Sequence, residues 1–361
     1  MTKAAELAKM GEVLTNSQIG GRRNIVINGG MQISQRATSA TGVGSGFAYP
    51  TLDRYKIVPS TSGRATMSQS TDAPDGFANS LKLECTTADT SIAAGEYFNI
   101  RQSLEGQDVQ QLKKGTSSAE KITVSFYVKG NASATYLLEL SDQDNTRYNG
   151  QTFAVTTSWN RIVLTYNGDT SGVLDNDNAR SLDLNFWLHG GSTYTGGTFT
   201  SNTWHGTDNQ RLASITSFFD STDREFFITG LQMEVGSQAT PFEHRSFGEE
   251  LALCQRYFYK TQSDSTYDFF SNGVAVSSTL AYNGIALPCK MRSAPTLTTS
   301  GNLRNYRNGG SAITTIAINH TSAYFCVLEC TSSGGGLTAG DGNLFGANND
   351  ADAAVMLSAE L

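Results

Sequence analysis

KITVSFYVKG, residues 121–130, alternates without a break: Ile122, Val124, Phe126 and Val128 fall on one face, and Thr123, Ser125 and Tyr127 on the other. Apolar and polar residues that trade places at every step define a half-buried β-strand. The same texture extends outward in both directions. NIVING (24–29 and the following Gly30), DRYKIV (53–58), LKLEC (81–85) and EYFNIRQ (96–102) precede it; TYLLEL, TFAV, NRIVLTY (160–166), LDLNFWL (182–188) and EFFITGLQMEV (225–235) follow. Gly, Asn, Asp and Ser separate these runs, as turns require. No segment of helical period alternates with them, which argues against a parallel α/β fold. An antiparallel jelly-roll β-sandwich is predicted.

The whole composition agrees. Of 361 residues, 36 are Gly, 14 Tyr and 18 Phe, and only 16% are charged. Strands and turns favour these types, whereas helices favour unbranched Ala, Leu, Glu, Lys and Arg. The net charge of −7 argues against nucleic acid, whose partners cluster Lys and Arg. The longest basic runs are the pairs Arg22-Arg23 and Lys113-Lys114, read as solvated surface charge. No apolar run approaches the ~20 residues that cross a bilayer, and no secretory h-region is visible near the start, so cytoplasmic assembly without membrane insertion is expected.

Three parts are expected along the chain. Residues 1–23 form an N-terminal helical attachment segment and linker, in which Leu7, Met10 and Leu14 share an apolar stripe. So short a helix is marginal alone, so the stripe is expected to pack on its own copies or in a docking groove. A terminus without fixed structure is the alternative. Residues 24–246 form the sandwich. Residues 247–361 form a smaller C-terminal β domain, opening with a short helix in GEELALCQRYFYK, with Ser246 as cap and Glu249 three residues on. The stretch SSGGGLTAGDGNLFGANNDAD (332–352) is polar and Gly-rich, and reads as a long exposed loop.

Candidate chemistry is sparse. His189, His205, His244 and His320 have no metal-ligand spacing, no Gly-x-Ser-x-Gly elbow or P-loop is present, and no enzyme is expected. Cys85, Cys254, Cys289, Cys326 and Cys330 fit no metal motif and read as reduced packing thiols. No cofactor is expected. Two acidic clusters supply hard oxygens that could suit a structural Ca2+, Asp142 with Asp144 and Asp175 with Asp177, but neither has the Gly and Glu spacing of an EF-hand, and solvated loops are the better reading. Tyr148, Trp187, Tyr194 and Trp204 lie in or beside loops, where exposed rings would stack on sugars and buried ones would pack under the loops.

Six segments together resemble a family of fibre and fibre-like virion proteins of tailed phages of aquatic bacteria. They are RRNIVINGGMQISQRAT (22–38), YPTLDRYKI (49–57), IRQSLEGQDVQQLKKGT (100–116), ITVSFYVKG (122–130), ITGLQMEVGSQATPFEHRSFGEELALCQRYFYK (228–260) and LPCKMRSAPTLTTS (287–300). The resemblance implies a sandwich like those of carbohydrate-binding modules, a C-terminal β domain, and a homo-oligomeric, usually trimeric, appendage on the virion surface. It implies other virion proteins as partners, through the N-terminal segment, and a host-surface glycan. Only about 23 residues precede the sandwich, fewer than a large attachment domain needs. A capsid decoration or head-fibre protein, and a polysaccharide-binding module or depolymerase, are the alternative readings.

Overall fold

The computed structural model describes residues 3–4, 23–307 and 310–361. The expected N-terminal helix, with Leu7, Met10 and Leu14, lies outside the described residues. The chain divides into two compact units, the first ending at Phe247 and the second running Gly248–Leu361. The fold is mainly β, with a two-sheet sandwich first and a separate C-terminal β unit after it.

The sandwich strands are β1 (Ser39–Val43), β2 (Lys56–Ser60), β3 (Arg64–Ser70), β4 (Ser80–Thr87), β5 (Tyr97–Glu105), β6 (Ile122–Gly130), β7 (Ala134–Asp142), β8 (Arg147–Val155), β9 (Asn160–Tyr166), β10 (Arg180–Gly190) and β11 (Glu225–Val235). They form two antiparallel sheets, in the orders β1-β3-β4-β11-β6-β9 and β2-β5-β10-β7-β8. The chain changes sheet at every connection except β3–β4 and β7–β8. Each sheet is therefore built from segments distant in sequence. The alternation in β6 does what its pattern dictates: Ile122, Val124, Phe126 and Val128 are all in the core. Phe126 meets Phe153 and Phe186 of the facing sheet edge-on at 5.1 and 5.2 Å. The buried Tyr166 hydroxyl crosses the core to donate to the Leu138 carbonyl at 2.8 Å.

Three sequence expectations in this unit are corrected. NIVING is not a strand. Asn28 and Met31 sit at φ 59° and 55°, in the left-handed region that breaks a strand. The Asn28 amide holds this turn shut, donating to the carbonyls of Ile33 (2.8 Å) and Asp53 (3.0 Å) and accepting from Ile33 N–H (2.9 Å). Arg54, at φ 74°, likewise delays the strand expected from Asp53 until Lys56. The Lys113-Lys114 pair also divides: Lys113 is exposed, but Lys114 is buried.

In the second unit the helix α1 (Phe247–Gln255) is followed by β12 (Phe258–Gln262), β13 (Phe269–Ala275), β14 (Leu280–Ala286), β15 (Thr296–Ser300), β16 (Leu303–Tyr306), β17 (Ser311–Thr321), β18 (Phe325–Ser332), β19 (Gly342–Ala347) and β20 (Ala354–Ser358). Six strands close a barrel in the order β13-β14-β18-β17-β16-β19, and β12-β20-β15 form a small sheet. The expected exposed loop at 332–352 is corrected. Its second half is β19, paired with β13 and β16, and Phe345 is fully buried. Polarity misleads here because the barrel interior contains amides. Asn283, Asn305 and Asn343 are buried and hydrogen-bonded to one another at 2.8–3.1 Å.

All five cysteines are free thiols, and Cys289 alone among them is partly exposed. Burial pushes up the thiols of Cys85, to about 11, of Cys330, to about 12, and of Cys289 and Cys326, so little reactive thiolate exists on these four at neutral pH. A thiol reagent at pH 8 is expected to label Cys289 first and to reach five thiols per chain only in denaturant. A buried thiol that reacts as fast as Cys289 in the native protein would contradict this packing.

Candidate functional site: a groove on the five-stranded sheet

Strand alternation gives the five-stranded sheet two unlike faces. In β5, Phe98 and Ile100 enter the core while Tyr97, Asn99 and Arg101 face outward; in β10, Leu184, Phe186 and Leu188 enter while Asp183, Asn185 and Trp187 face outward. Register then aligns the outward residues into cross-strand rows. One row runs Lys56, Arg101, Asn185, Glu139, Gly150, and the next runs Val58, Asn99, Trp187, Leu137, Thr152. A groove of about 380 Å³ lies along these rows, lined also by Phe47, Tyr194, Arg180 and Arg211.

The floor is a buried ionic network. Glu139 is fully buried, and its two oxygens accept from Arg211 Nε and Nη2, each at 2.8 Å, from Asn185 Nδ2 at 2.9 Å and from Trp187 Nε1 at 3.1 Å. Asp183, also fully buried, accepts from Arg180 (Nε to Oδ1 2.8 Å) and has the Arg101 guanidinium at 3.5 Å. Burial draws Arg101 below the ordinary arginine range against the pull of Asp183. For Arg180 burial acts the same way, but the hydrogen bonds to Asp183 outweigh it and hold the guanidinium above that range. The carboxylates are thus matched by guanidiniums, as buried charges must be.

The connection after β10 forms one wall. It brings Arg211 over the rings of Tyr148 (3.9 Å to the centroid), Trp187 (5.0 Å) and Tyr194 (5.9 Å). The lining also carries Phe47, 66% exposed and without the burial expected of so large a ring. Asn99 is among the lining residues, and its Oδ1 is buried with no hydrogen-bond partner. A buried acceptor left open is costly.

The sequence candidates are only partly brought together. Trp187 and Tyr194 line the groove, but Trp187 is 1% exposed and works as a support for Tyr97, Tyr194 and Arg211. Tyr148 is buried behind Arg211. Trp204 stands apart; its Nε1 donates to the Asn167 carbonyl at 2.7 Å and the Lys114 ammonium lies 5.1 Å over its ring. Of the acidic candidates, Asp142 is buried against the Lys114 ammonium, Asp144 accepts from the Asp175 amide at 3.0 Å, and Asp177 accepts from the Ala179 amide at 2.8 Å. Tyr97, Asn99, Arg101, Arg180 and Arg211 were not singled out by sequence. The strand pattern of EYFNIRQ marked an outward face, but nothing local says that this face is a groove.

No protein-family model and no curated protein sequence matches the chain. Among solved structures it is similar to the enzymatically active domain of tailspike protein 4 of bacteriophage CBA120, at 12% identity and TM-score 0.33, over 59% of this chain and 21% of that one. It is similar also to the family 11 carbohydrate-binding module of a cellulosomal cellulase of Clostridium thermocellum, at 12% identity and TM-score 0.28, over 57% and 98%. A third is TmCBM61, solved with β-1,4-galactotriose, at 10% identity and TM-score 0.29, over 59% and 99%. Likenesses of this size assign neither a family nor a ligand to this chain.

Proposed function

We propose that the chain is a non-catalytic glycan-binding protein, and that an oligosaccharide lies in the groove between Phe47 and Tyr194. The observation that carries this is the groove's composition. Partly exposed rings, Tyr97 and Tyr194, and the exposed Phe47 offer apolar faces for sugar rings, while the lining guanidiniums offer donors for hydroxyls. Four cations line or floor the groove, Lys56, Arg101, Arg180 and Arg211, against two buried carboxylates, Glu139 and Asp183. The excess positive charge on an otherwise acidic protein favours sugars that carry carboxylate or sulfate. Binding is favoured over turnover because both carboxylates are fully buried and held by guanidiniums, which leaves neither poised to exchange protons with a glycosidic oxygen.

Calorimetry with a panel of neutral and acidic oligosaccharides tests the reading. Phe47→Ala and Tyr97→Ala are each expected to weaken binding roughly ten- to hundredfold, the worth of about 1.5–3 kcal/mol of aromatic burial. Affinity for acidic members is expected to fall as NaCl rises through the range where exposed charges are screened. Binding of no oligosaccharide, or binding indifferent to both substitutions, would rule the groove out.

The proposal extends to the setting implied by the sequence resemblance: a fibre or spike on a virion surface, homo-oligomeric, expected to be trimeric, docked on other virion proteins through residues 1–23. Leu7→Asp with Leu14→Asp is expected to leave the sandwich folded and glycan-competent while abolishing incorporation into particles. Blotting of purified virions checks this, and normal incorporation would refute attachment through that stripe. A capsid decoration protein would be incorporated in the same way but would bind no glycan.

A further inference from the structure

A second polar cluster lies off the groove. Asp89, in the connection after β4, Glu96, immediately before β5, and His189, near the end of β10, bring one imidazole nitrogen and two carboxylate oxygens within 4.8 Å of one another. The strand register shifts between Trp187 and His189, so that His189 pairs with the core residue Phe98. Shifts of this kind re-aim a side chain. Here the shift takes His189 out of the groove row and turns it toward the two acids.

The three groups do not satisfy one another. His189 is fully buried, and its Nε2 has no hydrogen-bond partner. The nearest carboxylate oxygen, Glu96 Oε2, stands 4.0 Å away, beyond hydrogen-bond length. The other nitrogen, Nδ1, is 2.8 Å from Ser217 Oγ. An Nδ1–H donated to Ser217 leaves the Nε2 lone pair aimed at the acids, the arrangement that metal-binding imidazoles use. Burial lowers the imidazole pKa despite both neighbouring carboxylates, so a proton does not fill the gap at neutral pH. Asp89 is 5% exposed, and Thr61 Oγ1 (2.6 Å) and the Ser62 amide (3.1 Å) donate to it. Those bonds outweigh its burial and hold its pKa below the ordinary value, so it stays ionised. Among the described residues no Lys or Arg pairs with Asp89 or Glu96. Two carboxylates thus face an open imidazole lone pair with no Lys or Arg among the described residues to neutralise them.

We propose that Asp89, Glu96 and His189 form a binding site for a divalent first-row transition ion of the Zn2+ class, with solvent completing the coordination. Imidazole beside carboxylate suits such ions better than Ca2+, which takes oxygen ligands. Ligand atoms at 2.0–2.2 Å in a tetrahedral site stand about 3.3–3.6 Å apart. The 4.0 Å pair must therefore close by about half an ångström, and the widest, within 4.8 Å, by up to about 1.5 Å, which rotations of the two carboxylate side chains supply as the ion binds. The ion would tie the β4–β5 connection to the end of β10. Because Glu96 adjoins Tyr97 in sequence, it would also fix the end of the strand that lines the groove.

The test uses the full chain, stripped with a chelator and titrated calorimetrically with ZnCl2 and, separately, CaCl2. One Zn2+ per chain is expected, with a rise in Tm. Glu96→Gln and Asp89→Asn should each weaken that binding at least about tenfold, the lower end of what losing even an outer-shell partner costs. Glu96→Gln is the safer variant, since this side chain is 19% exposed and glutamine keeps an acceptor for the Ala93 amide. Its circular dichroism and Tm without metal report that the fold is intact. No saturable Zn2+ binding, Zn2+ binding unchanged in both variants, or a preference for Ca2+ would each overturn the proposal. Glycan binding is measured on the same samples, so failure of the metal site and failure of the groove are separable.

Discussion

Arg211→Ala is expected to destabilise the sandwich by about 3–5 kcal/mol, the usual loss when one partner of a buried ion pair is removed. The reason lies in what remains. Glu139 stays fully buried, and after truncation only Asn185 Nδ2 and Trp187 Nε1 still donate to it. Two neutral hydrogen bonds do not offset a carboxylate in the floor of a sheet. The same change removes the guanidinium stacked at 3.9 Å on Tyr148 and the lid over Trp187. Urea unfolding with an unchanged slope measures the loss as a midpoint shift. Adding Glu139→Gln to Arg211→Ala should recover part of it, because the buried charge is then gone; coupled neighbours commonly differ from additivity by about 0.5–3 kcal/mol. A single variant within about 1 kcal/mol of the parent would show that Glu139 finds another counter-charge.

Why Arg211 was invisible in the sequence is instructive. It follows TSNTWHGTDNQ, a polar run with no periodicity, and its partner lies 72 residues away in the chain. The strands themselves were readable wherever one face is buried and the other is not, as in residues 122–130, because a one-residue slip would expose Ile122, Val124, Phe126 and Val128 together. The two-sheet class followed from many such strands with no intervening helices. Pairing order did not, because almost every connection changes sheet. The rows that make the groove exist only once β2, β5, β10 and β7 are in register. Local chemistry misled in two places for separate reasons. NIVING has a strand's composition but a left-handed Asn28. Residues 342–347 have a loop's composition but a buried amide cluster to pair with.

Lys114→Met is expected to lower stability by a similar amount, about 3–5 kcal/mol, and to move acid unfolding to higher pH. The Lys114 side chain is 3% exposed, and its ammonium contacts Asp142 and, at 3.1 Å, Asp169, while donating to the carbonyls of Ser171 (3.0 Å) and Gly172 (2.9 Å). Without it Asp142 keeps only donors from Asn145, whereas Asp169 still has Arg147 at 2.6 Å. Burial raises the Asp169 pKa, but the hydrogen bond from Arg147, with help from Lys114, more than reverses this and leaves it below the ordinary aspartate value. A folded pKa below the unfolded one contributes stability that is full above the unfolded value, about 3.9, and is lost as pH falls through the folded one. In the parent this loss therefore falls below about pH 4. Removing the ammonium takes away part of what lowers the folded pKa of Asp169, so the loss begins at higher pH and starts from a smaller reserve. Circular dichroism between pH 7 and 2 resolves the two curves. If they superpose, Lys114 is not the counter-charge that lets two aspartates lie buried beside β7 and after β9.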